Sequence, residues 1–520
     1  MQIIENKALL FRTRNPDKYS IIPKHKVLEA DDDGIHEVAV YWGLDEARVL
    51  HNLGVKNVPS PITKRYSWPG RYRPMQHQID TAAFLTMHRR AFCFNDPGTG
   101  KTMSALWAAD YLIEKGYVRR VLVLCPLSIM QSAWMQDLNN AIMHRSAVVA
   151  HHTQSSRRIE MIQQDYTFVI TNYDGLALVA QEINNDGRFD LIIVDEANCY
   201  KNASTNRWKA LASIIKPETY LWMMTGTPAS QSPVDAYGLA KLVNPGGIPK
   251  YLSAWRDMTM HKITQFKWAP KPNAAELVFD ALQPAIRFTK GQCLDLPPVV
   301  TITRDVPMTP QQSKYYRLLK EQMMVRAAGE TISAVNAGVA VSKLLQISCG
   351  AAYTDDKEVI EFDASPRLAV LEEVLQETKR KVLIFAMFRS SIDAVAAYLN
   401  KKGYPTEQIQ GDVSPAKRNK IIHDFQTTDN LRVLVMQPQA AAHGLTLTAA
   451  DTVIFFGPLM SVEMYTQCIA RADRKGQDSD KVTVVHLQSS HIEREMFKAM
   501  NSKVSEHALL VNLFNEEIKA

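Results

Sequence analysis

The sequence predicts an α/β protein of two parallel-sheet lobes with helical insertions, preceded by a small N-terminal α+β module. Three observations carry that reading. Two separate series of short apolar runs alternate with helix-patterned stretches, the pattern of strands buried on both faces of a parallel sheet. The run GTGKT at 98–102 stands between one of those strands and a helix, where α/β folds hold phosphate. The first 56 residues show neither feature and read as a unit of their own.

In chain order, residues 1–56 carry the strand-like runs ALLFRT, YSIIPKHKV and HEVAVYWG, then a helix-like LDEARVLHNLG ending at Gly54. A linker at 57–72 follows, spaced by Pro59, Pro61 and Pro69. Lobe 1, residues 73–250, holds AFCF, VLVLC, TFVIT, LIIVDE and YLWMMTGT. Residues 251–370, with stretches such as SKYYRLLKEQMMVRAA, are too long for a loop and read as helical insertions. Lobe 2, residues 371–520, holds KVLIFAM, TEQIQGD, RVLVM, TVIFFG and KVTVVHL. Its tail spaces Ile492, Met496, Met500, Val504 and Leu509 along one helix face, as a brace packed on the lobe.

Bulk properties narrow the class. A chain of 520 residues exceeds one compact core, and 46% hydrophobic with 22% charged residues is an ordinary globular mix. No apolar run approaches the roughly 18 residues of a membrane span, and the start, with Glu5, lacks the cationic-then-apolar layout of a secretory signal. The six cysteines (93, 125, 199, 293, 349, 468) form no CxxC pair or zinc spacing and read as reduced core residues of a cytosolic protein. A net charge of +6 permits a polyanionic partner without requiring one.

The chemistry concentrates in three places. In AFCFNDPGTGKTMSALWAA a strand leads into Gly98, Thr99, Gly100, Lys101 and Thr102, and a helix pattern begins there. Small residues let backbone N–H groups close around phosphate oxygens, Lys101 reaches the terminal phosphates, and Thr102 offers its hydroxyl to magnesium. The first glycine of the longer GxxxxGK[ST] pattern is replaced by Asn95, so the match is to the shorter form. In FDLIIVDEANCYKN the strand 191–194 delivers Asp195 and Glu196 to its C-terminal end, where parallel sheets collect ligands. Asp195 suits magnesium and Glu196 the attacking water of a phosphoryl transfer, although a solvated strand end explains the pair as well. ATP and Mg2+ are the expected cofactors. Finally, MYTQCIARADRKGQ sets Arg471 and Arg474 three apart on an expected helix, with Gln467 one turn earlier. A solvated helix end, a clamp on a DNA backbone and a device aimed at nucleotide phosphates all fit that spacing.

Several segments, in consistent order over residues 72–510, resemble the Swi/Snf-type superfamily II double-stranded DNA translocases. YRPMQHQ is similar to their adenine-reading glutamine motif, VLVLCPLSIMQSAW to LVVAPLSLLxxW, ITNYDGL to ITTYE and MTGTP to LTGTP. DEANCYKNASTNRWKAL resembles DEAHRIKNPxSxxxKAL. LTLTAADTVIFFGPLMSVEMYTQCIARADRKGQ resembles LxLTAADxVIxxxxxWNPxxxxQAxDRAHRIGQ, and KLLQISCGAAYTDD a linker of the annealing-helicase branch. Three departures stand out. Asn198 and Asp473 replace histidines of the family, and QPQAAAH stands where many relatives have Arg-Ala-Gly-Gly.

The resemblance implies two RecA-like lobes and a DNA-dependent ATPase that moves on double-stranded or branched DNA, remodelling or reannealing it or displacing bound proteins. It implies that Gln76 reads adenine and that Lys101, Glu196, Arg471 and Arg474 are catalytic. The two arginines would meet the γ-phosphate when the lobes close, with Gln467 at the same interface. It places Ser128, Thr171, Asn172, Arg389, Gly411 and Thr446 on DNA phosphates and makes Thr225 and Thr227 relays between the DNA and ATP sites. The compact build resembles bacterial or viral members, implying a cytoplasmic, monomeric protein without membrane contact. Its N-terminal module, basic at Arg12, Arg14, Lys18, Lys24 and Lys26, is expected to meet substrate or a protein partner. A strand-separating helicase on DNA or RNA and a non-hydrolysing DNA-binding scaffold are the alternatives. A metal-dependent nuclease is disfavoured, because the remaining Asp, Glu and His form no defensible constellation and His151-His152 reads as surface.

Overall fold

The computed structural model describes residues 1–226, 228, 232–263, 268–293, 296–329, 334–353, 359–441, 445–474 and 476–502. They cluster in two compact units. Unit 1 comprises Met1–Pro228, Val234–Thr259 and Pro272–Thr289; unit 2 comprises the described residues of Ala229–Pro233, Met260–Lys271 and Lys290–Ala520.

Unit 1 opens with an antiparallel sheet of β1 (Gln2–Ile4), β2 (Ala8–Thr13), β3 (His25–Ala30) and β4 (His36–Tyr41), in the order β1-β2-β4-β3. Alternation sends Leu9 and Phe11 of β2 and Val38 and Val40 of β4 inward, onto Trp42 and onto Leu50 of helix Leu44–Asn52. The expected strand YSIIPKHKV begins only at His25: Pro23 has no N–H for a ladder, and Pro16–Tyr19 forms a 3-10 turn. This sheet is bonded into the rest of unit 1. Arg48 Nη2 donates to Thr86 O at 2.6 Å, and Trp42 Nε1 donates to Pro59 O at 2.8 Å. The proline-spaced stretch is packed too, with Ile62 and Tyr66 buried and Tyr66 Oη donating to Asp110 Oδ2 at 2.5 Å.

The main sheet of unit 1 is parallel throughout. It contains β5 (Arg90–Cys93), β6 (Arg120–Cys125), β7 (Ala147–Val149), β8 (Phe168–Asn172), β9 (Phe189–Val194), β10 (Tyr220–Met224) and β11 (Ala285–Ile286). The order is β11-β5-β10-β9-β6-β8-β7. The central strands are buried over nearly their whole length, which is why they read as continuous apolar runs.

Unit 2 has a second all-parallel sheet of β12 (Val299–Asp305), β13 (Lys381–Phe385), β14 (Thr406–Ile409), β15 (Val433–Met436), β16 (Ala450–Phe455) and β17 (Val482–Gln488). Its order is β12-β17-β16-β13-β15-β14. The stretch 251–370, expected as helical, does contain Pro310–Gly329 and Ala334–Ser348, yet it also sends β11 to one sheet and β12 to the other. The β-branched run VVTIT favours a strand over a helix. Helix His491–Ser502 buries Ile492, Met496, Phe497 and Met500 as a brace; Val504 and Leu509 lie outside the described residues. Arg367 Nη2 anchors that helix by donating to Glu493 Oε1 at 2.8 Å, both side chains being inaccessible to solvent. Among the described residues no helix is long and apolar enough to cross a membrane.

Candidate active site

β5 ends at Cys93 and releases the chain into the glycine-rich loop. Asn95, where the longer phosphate-loop pattern has glycine, pins the loop from both ends of its amide. Nδ2 donates to Thr81 Oγ1 at 2.8 Å, and Oδ1 accepts from Phe288 N at 2.9 Å. Gly98 and Gly100 take φ of +88° and +82°, which L side chains resist, and Gly100 is the N-cap of helix Lys101–Glu114. The free N–H groups of that helix start, with Lys101 and Thr102 in its first turn, form an anion cradle. Lys101 Nζ donates to Asn95 O at 2.8 Å, so the ammonium folds over the loop.

Helix Gln76–Met87 supports this loop from the side. His77 Nε2 lies 2.8 Å from Thr99 O, Gln78 Nε2 donates to Thr99 O at 3.4 Å, and Gln78 Oε1 accepts from Met75 N at 2.9 Å. Gln76, expected to read the base, is exposed, and its Nε2 donates to Asp80 Oδ1 at 2.8 Å. Successive residues of a helix point in different directions, and it is His77 and Gln78 of the QHQ run that meet the loop.

β9 delivers the carboxylates beside it. In the sheet, Met224 of β10 pairs with Cys93 and Met223 with Val194. The phosphate loop, Thr225 and the Asp195–Glu196 pair therefore leave the C-terminal ends of three neighbouring strands. Thr225 is fully buried, with its N–H donating to Cys93 O at 3.0 Å; Thr227 lies outside the described residues. Asp195 is 8% exposed and held on all sides. Its Oδ2 accepts from Trp134 Nε1 at 2.9 Å, its Oδ1 from Glu196 N at 3.0 Å and its carbonyl from Tyr173 Oη at 2.5 Å. Burial pushes the Asp195 carboxyl above its usual range, opposed by the Lys101 ammonium and the Trp134 N–H. Glu196 has φ +47°, a left-handed conformation uncommon for a non-glycine residue. Burial also pushes the Cys93 thiol up to about 11 and raises Cys125, so both stay neutral beside the carboxylate.

These groups fit ATP with magnesium. The loop offers N–H donors to phosphate oxygens, and the Thr102 hydroxyl and Asp195 carboxylate are the hard oxygen donors Mg2+ selects. Among the described residues no group of three or more His, Cys, Asp and Glu side chains could hold a metal ion.

The residues expected on DNA fall in two sets. In unit 1, Ser128 is half-buried on the turn Leu127–Ile129 that follows β6. Asn172 is the N-cap of helix Tyr173–Asp186, and its Oδ1 accepts from Arg158 Nη1 at 3.2 Å. Thr171 departs from expectation. It is fully buried and its hydroxyl donates to Ala150 O at 3.1 Å, so the sheet uses that group and its side chain reaches no external phosphate. In unit 2, Arg389 and Gly411 come together, since a Cβ on Gly411 would lie 3.7 Å from Arg389 Nη2, and Arg389 Nη1 sits 3.7 Å from Asp412 Oδ2. Thr446 is exposed between buried Leu445 and Leu447.

The arginines do not ride on a helix. Helix Val462–Ile469 ends at its C-cap Ala470, and tight turns carry Arg471 and Arg474, with Arg471 N donating to Cys468 O and Asp473 N to Ile469 O. The two guanidiniums nevertheless converge: Arg471 Nη1 and Arg474 Nη1 donate to Leu445 O at 3.2 and 3.3 Å, and Arg471 Nε donates to Gln467 O at 2.9 Å. Gln467 itself is 7% exposed. Asp473 has a partner the sequence did not reveal, because Lys290 Nζ donates to its carboxylate at 2.7 Å and to its carbonyl at 2.6 Å. Trp134 and Tyr173 were also missed, although both lie inside the segments PLSIMQSAW and ITNYDGL that carried the resemblance.

Comparison with known proteins decides the family. The SNF2-related domain matches residues 77–349, more than half of the chain, and the helicase conserved C-terminal domain matches residues 366–476. The chain belongs to the SNF2-related family. This SNF2-related chain is 26% identical over 457 residues to the SWI/SNF-related matrix-associated actin-dependent regulator of chromatin subfamily A-like protein 1 homolog of Caenorhabditis elegans, covering 84% of this chain and 62% of that one. Against the Xenopus laevis subfamily A-like protein 1 the identity is 25%, over 78% of this chain and 40% of the relative. Against mouse chromodomain-helicase-DNA-binding protein 1-like it is 24%, over 88% and 53%. The chain thus spans only part of the length of these curated relatives. Among solved structures, the Sulfolobus solfataricus SWI2/SNF2 ATPase core in complex with dsDNA aligns over 87% of this chain and 96% of its own, at 19% identity and a TM-score of 0.42.

Proposed function

We propose that this SNF2-related protein is an ATP-dependent translocase on double-stranded DNA that remodels or reanneals DNA or displaces bound proteins. One observation supports this most. The phosphate loop, Thr225 and the buried Asp195–Glu196 pair leave adjacent strand ends of one sheet, as in-line phosphoryl transfer requires. Lys101 and the helix-start amides bind and orient the phosphates, and Glu196 orients the attacking water and takes its proton. Magnesium, held by Thr102 and Asp195, would neutralise charge on the β- and γ-phosphates. Arg471 and Arg474 neutralise the charge that develops on the γ-phosphate in the transition state, with Gln467 supporting them. Ser128 and Asn172 in unit 1, and Arg389, Gly411 and Thr446 in unit 2, contact DNA phosphates; Thr225 and Thr227 relay between the sites. The protein works as a cytoplasmic monomer on double-stranded or branched DNA. The exposed face of its first sheet, where Lys24 Nζ lies 4.7 Å above the Tyr41 ring, is the contact for a protein partner.

ATP turnover measured with and without duplex DNA tests this reading. Duplex is expected to raise turnover, and triplex displacement is expected without strand separation. Binding dominated by phosphate contacts weakens steeply with salt and shows little sequence preference. Turnover indifferent to duplex removes the translocase, and efficient strand separation replaces it with a helicase. Partner pull-down with Lys24→Glu tests the first sheet: capture equal to wild type removes that contact.

A further inference from the structure

Two aromatic side chains, one from each DNA-facing segment of unit 1, end on the same acidic residue. Trp134 belongs to the π-helical turn Met130–Met135. It is completely buried, and its only polar atom donates to Asp195 Oδ2 at 2.9 Å. Tyr173 is the first residue of helix Tyr173–Asp186, and its hydroxyl donates to Asp195 O at 2.5 Å. Its ring also stands edge-on to Tyr200, 5.7 Å away, in the turn that follows Glu196.

The origin of these segments matters as much as their end. Ser128 lies six residues before Trp134, on the turn that runs directly into the π-helical stretch, and Asn172 immediately precedes Tyr173. Strand β6, which leads to Ser128, ends beside Asp195 as well, since Asp195 N donates to Leu124 O at 2.9 Å. The carboxylate and backbone of Asp195 are therefore set by the two segments expected to touch DNA. A π turn holds one more residue per hydrogen-bonded ring than an α turn and is found often at functional sites. It runs straight into α-helix Gln136–Ile142, and a change from π to α register there would rotate Trp134. A close-packed interior passes such a rotation to whatever the side chain touches.

We propose that Trp134 and Tyr173 are positioning residues that convey DNA contact at the Ser128 and Asn172 segments to Asp195, so that ATP turnover depends on bound duplex. This rests on reading the chain as a DNA-stimulated ATPase. Neither ring touches nucleotide or DNA; each acts through Asp195. DNA held at Ser128 settles the π-helical register, the indole N–H fixes one carboxylate oxygen, and the phenol fixes the backbone that carries it.

The test uses the full chain with Tyr173→Phe, which removes only the hydroxyl, and Trp134→Phe, which removes the indole N–H together with its five-membered ring and keeps an aromatic ring in the site. The ratio of turnover at saturating duplex to turnover without DNA is expected to fall about tenfold in each, the worth of one hydrogen bond to a charged or strongly held group. The ATP KM and the half-saturating duplex concentration stay within about twofold of wild type, because neither ring contacts a ligand. The double variant falls little below the weaker single one, since both bonds end on one residue. A purely structural role would lower both rates in equal proportion and leave the ratio at the wild-type value, which overturns the proposal. Should Trp134→Phe not fold, Tyr173→Phe, smaller by one oxygen, carries the same readout. A wild-type protein that duplex does not stimulate removes the ATPase reading itself. Normal stimulation in wild type and variants alike removes only the relay.

Discussion

Gly100→Ala tests the phosphate loop more sharply than removal of any charge, because its cost can be worked out from two separate sources. The first is the backbone: at φ +82° a Cβ crowds the following carbonyl, a cost of about 1–2 kcal/mol. The second is Gln78, whose Nε2 lies 2.0 Å from where the new Cβ would stand. Gln78 is long and able to swing away, but Met75 N donates to its Oε1 at 2.9 Å, and losing that bond costs about 1 kcal/mol. Together about 2–3 kcal/mol opposes the loop shape that cradles phosphate, which lowers ATP affinity by about 30- to 150-fold. The assay is equilibrium titration of the full chain with a fluorescent, non-hydrolysable ATP analogue. Adding Gln78→Ala clears the collision but removes the same Met75 bond and leaves the backbone cost, so the double variant should bind within about twofold of Gly100→Ala alone. Binding by Gly100→Ala within about threefold of wild type would refute the argument that this left-handed residue shapes the nucleotide site.

Three further outcomes follow from unit 2. Arg474→Ala should cut DNA-stimulated turnover by about 10³-fold or more while the ATP analogue still binds; undiminished turnover would leave both arginines with a purely structural role on the Leu445 carbonyl. Glu493→Gln leaves the Arg367 guanidinium buried against a neutral partner, a loss of about 3–5 kcal/mol that lowers the thermal transition of unit 2 by about 6–20 °C, and an unmoved transition in calorimetry contradicts it. His486 is inaccessible, stacked 3.9 Å from Phe497, and burial lowers its pKa from 6.5 to about 4. The folded state therefore resists the proton that the unfolded chain accepts. Stability is full above pH 6.5 and falls as pH drops toward 4, by about 3 kcal/mol in total. Denaturant midpoints across that range should show this slope in wild type and lose it in His486→Phe.

Much of this molecule is written locally. The central strands of both sheets are short apolar runs because they are buried on both faces, and that signal survives without knowledge of the neighbours. GTGKT was legible because glycine takes the left-handed turns at 98 and 100 at the least steric cost. Other features were misplaced for a common reason. The arginines share a direction as the sequence suggested, but by tight turns that converge on Leu445 O, a carbonyl supplied by a loop before β16. Thr171 carries the residue type of a phosphate contact, yet neighbouring β7 leads to the Ala150 carbonyl that takes its hydroxyl. β11 spans two residues and β12 lies inside a stretch rich in helix formers, so composition averaged over the window hid both.

By itself the sequence determined the two parallel sheets, the phosphate-binding turn and the pair of carboxylates at a strand end, since each follows from steric preference and periodicity within a few residues. Only the tertiary structure decided that Gln78 braces the loop, that Lys290 holds Asp473, and that an indole N–H meets the buried carboxylate of a residue 61 positions away. The physical reason is that a hydrogen bond needs its two atoms within about 3 Å and correctly aimed, and only the packing of distant segments sets that geometry.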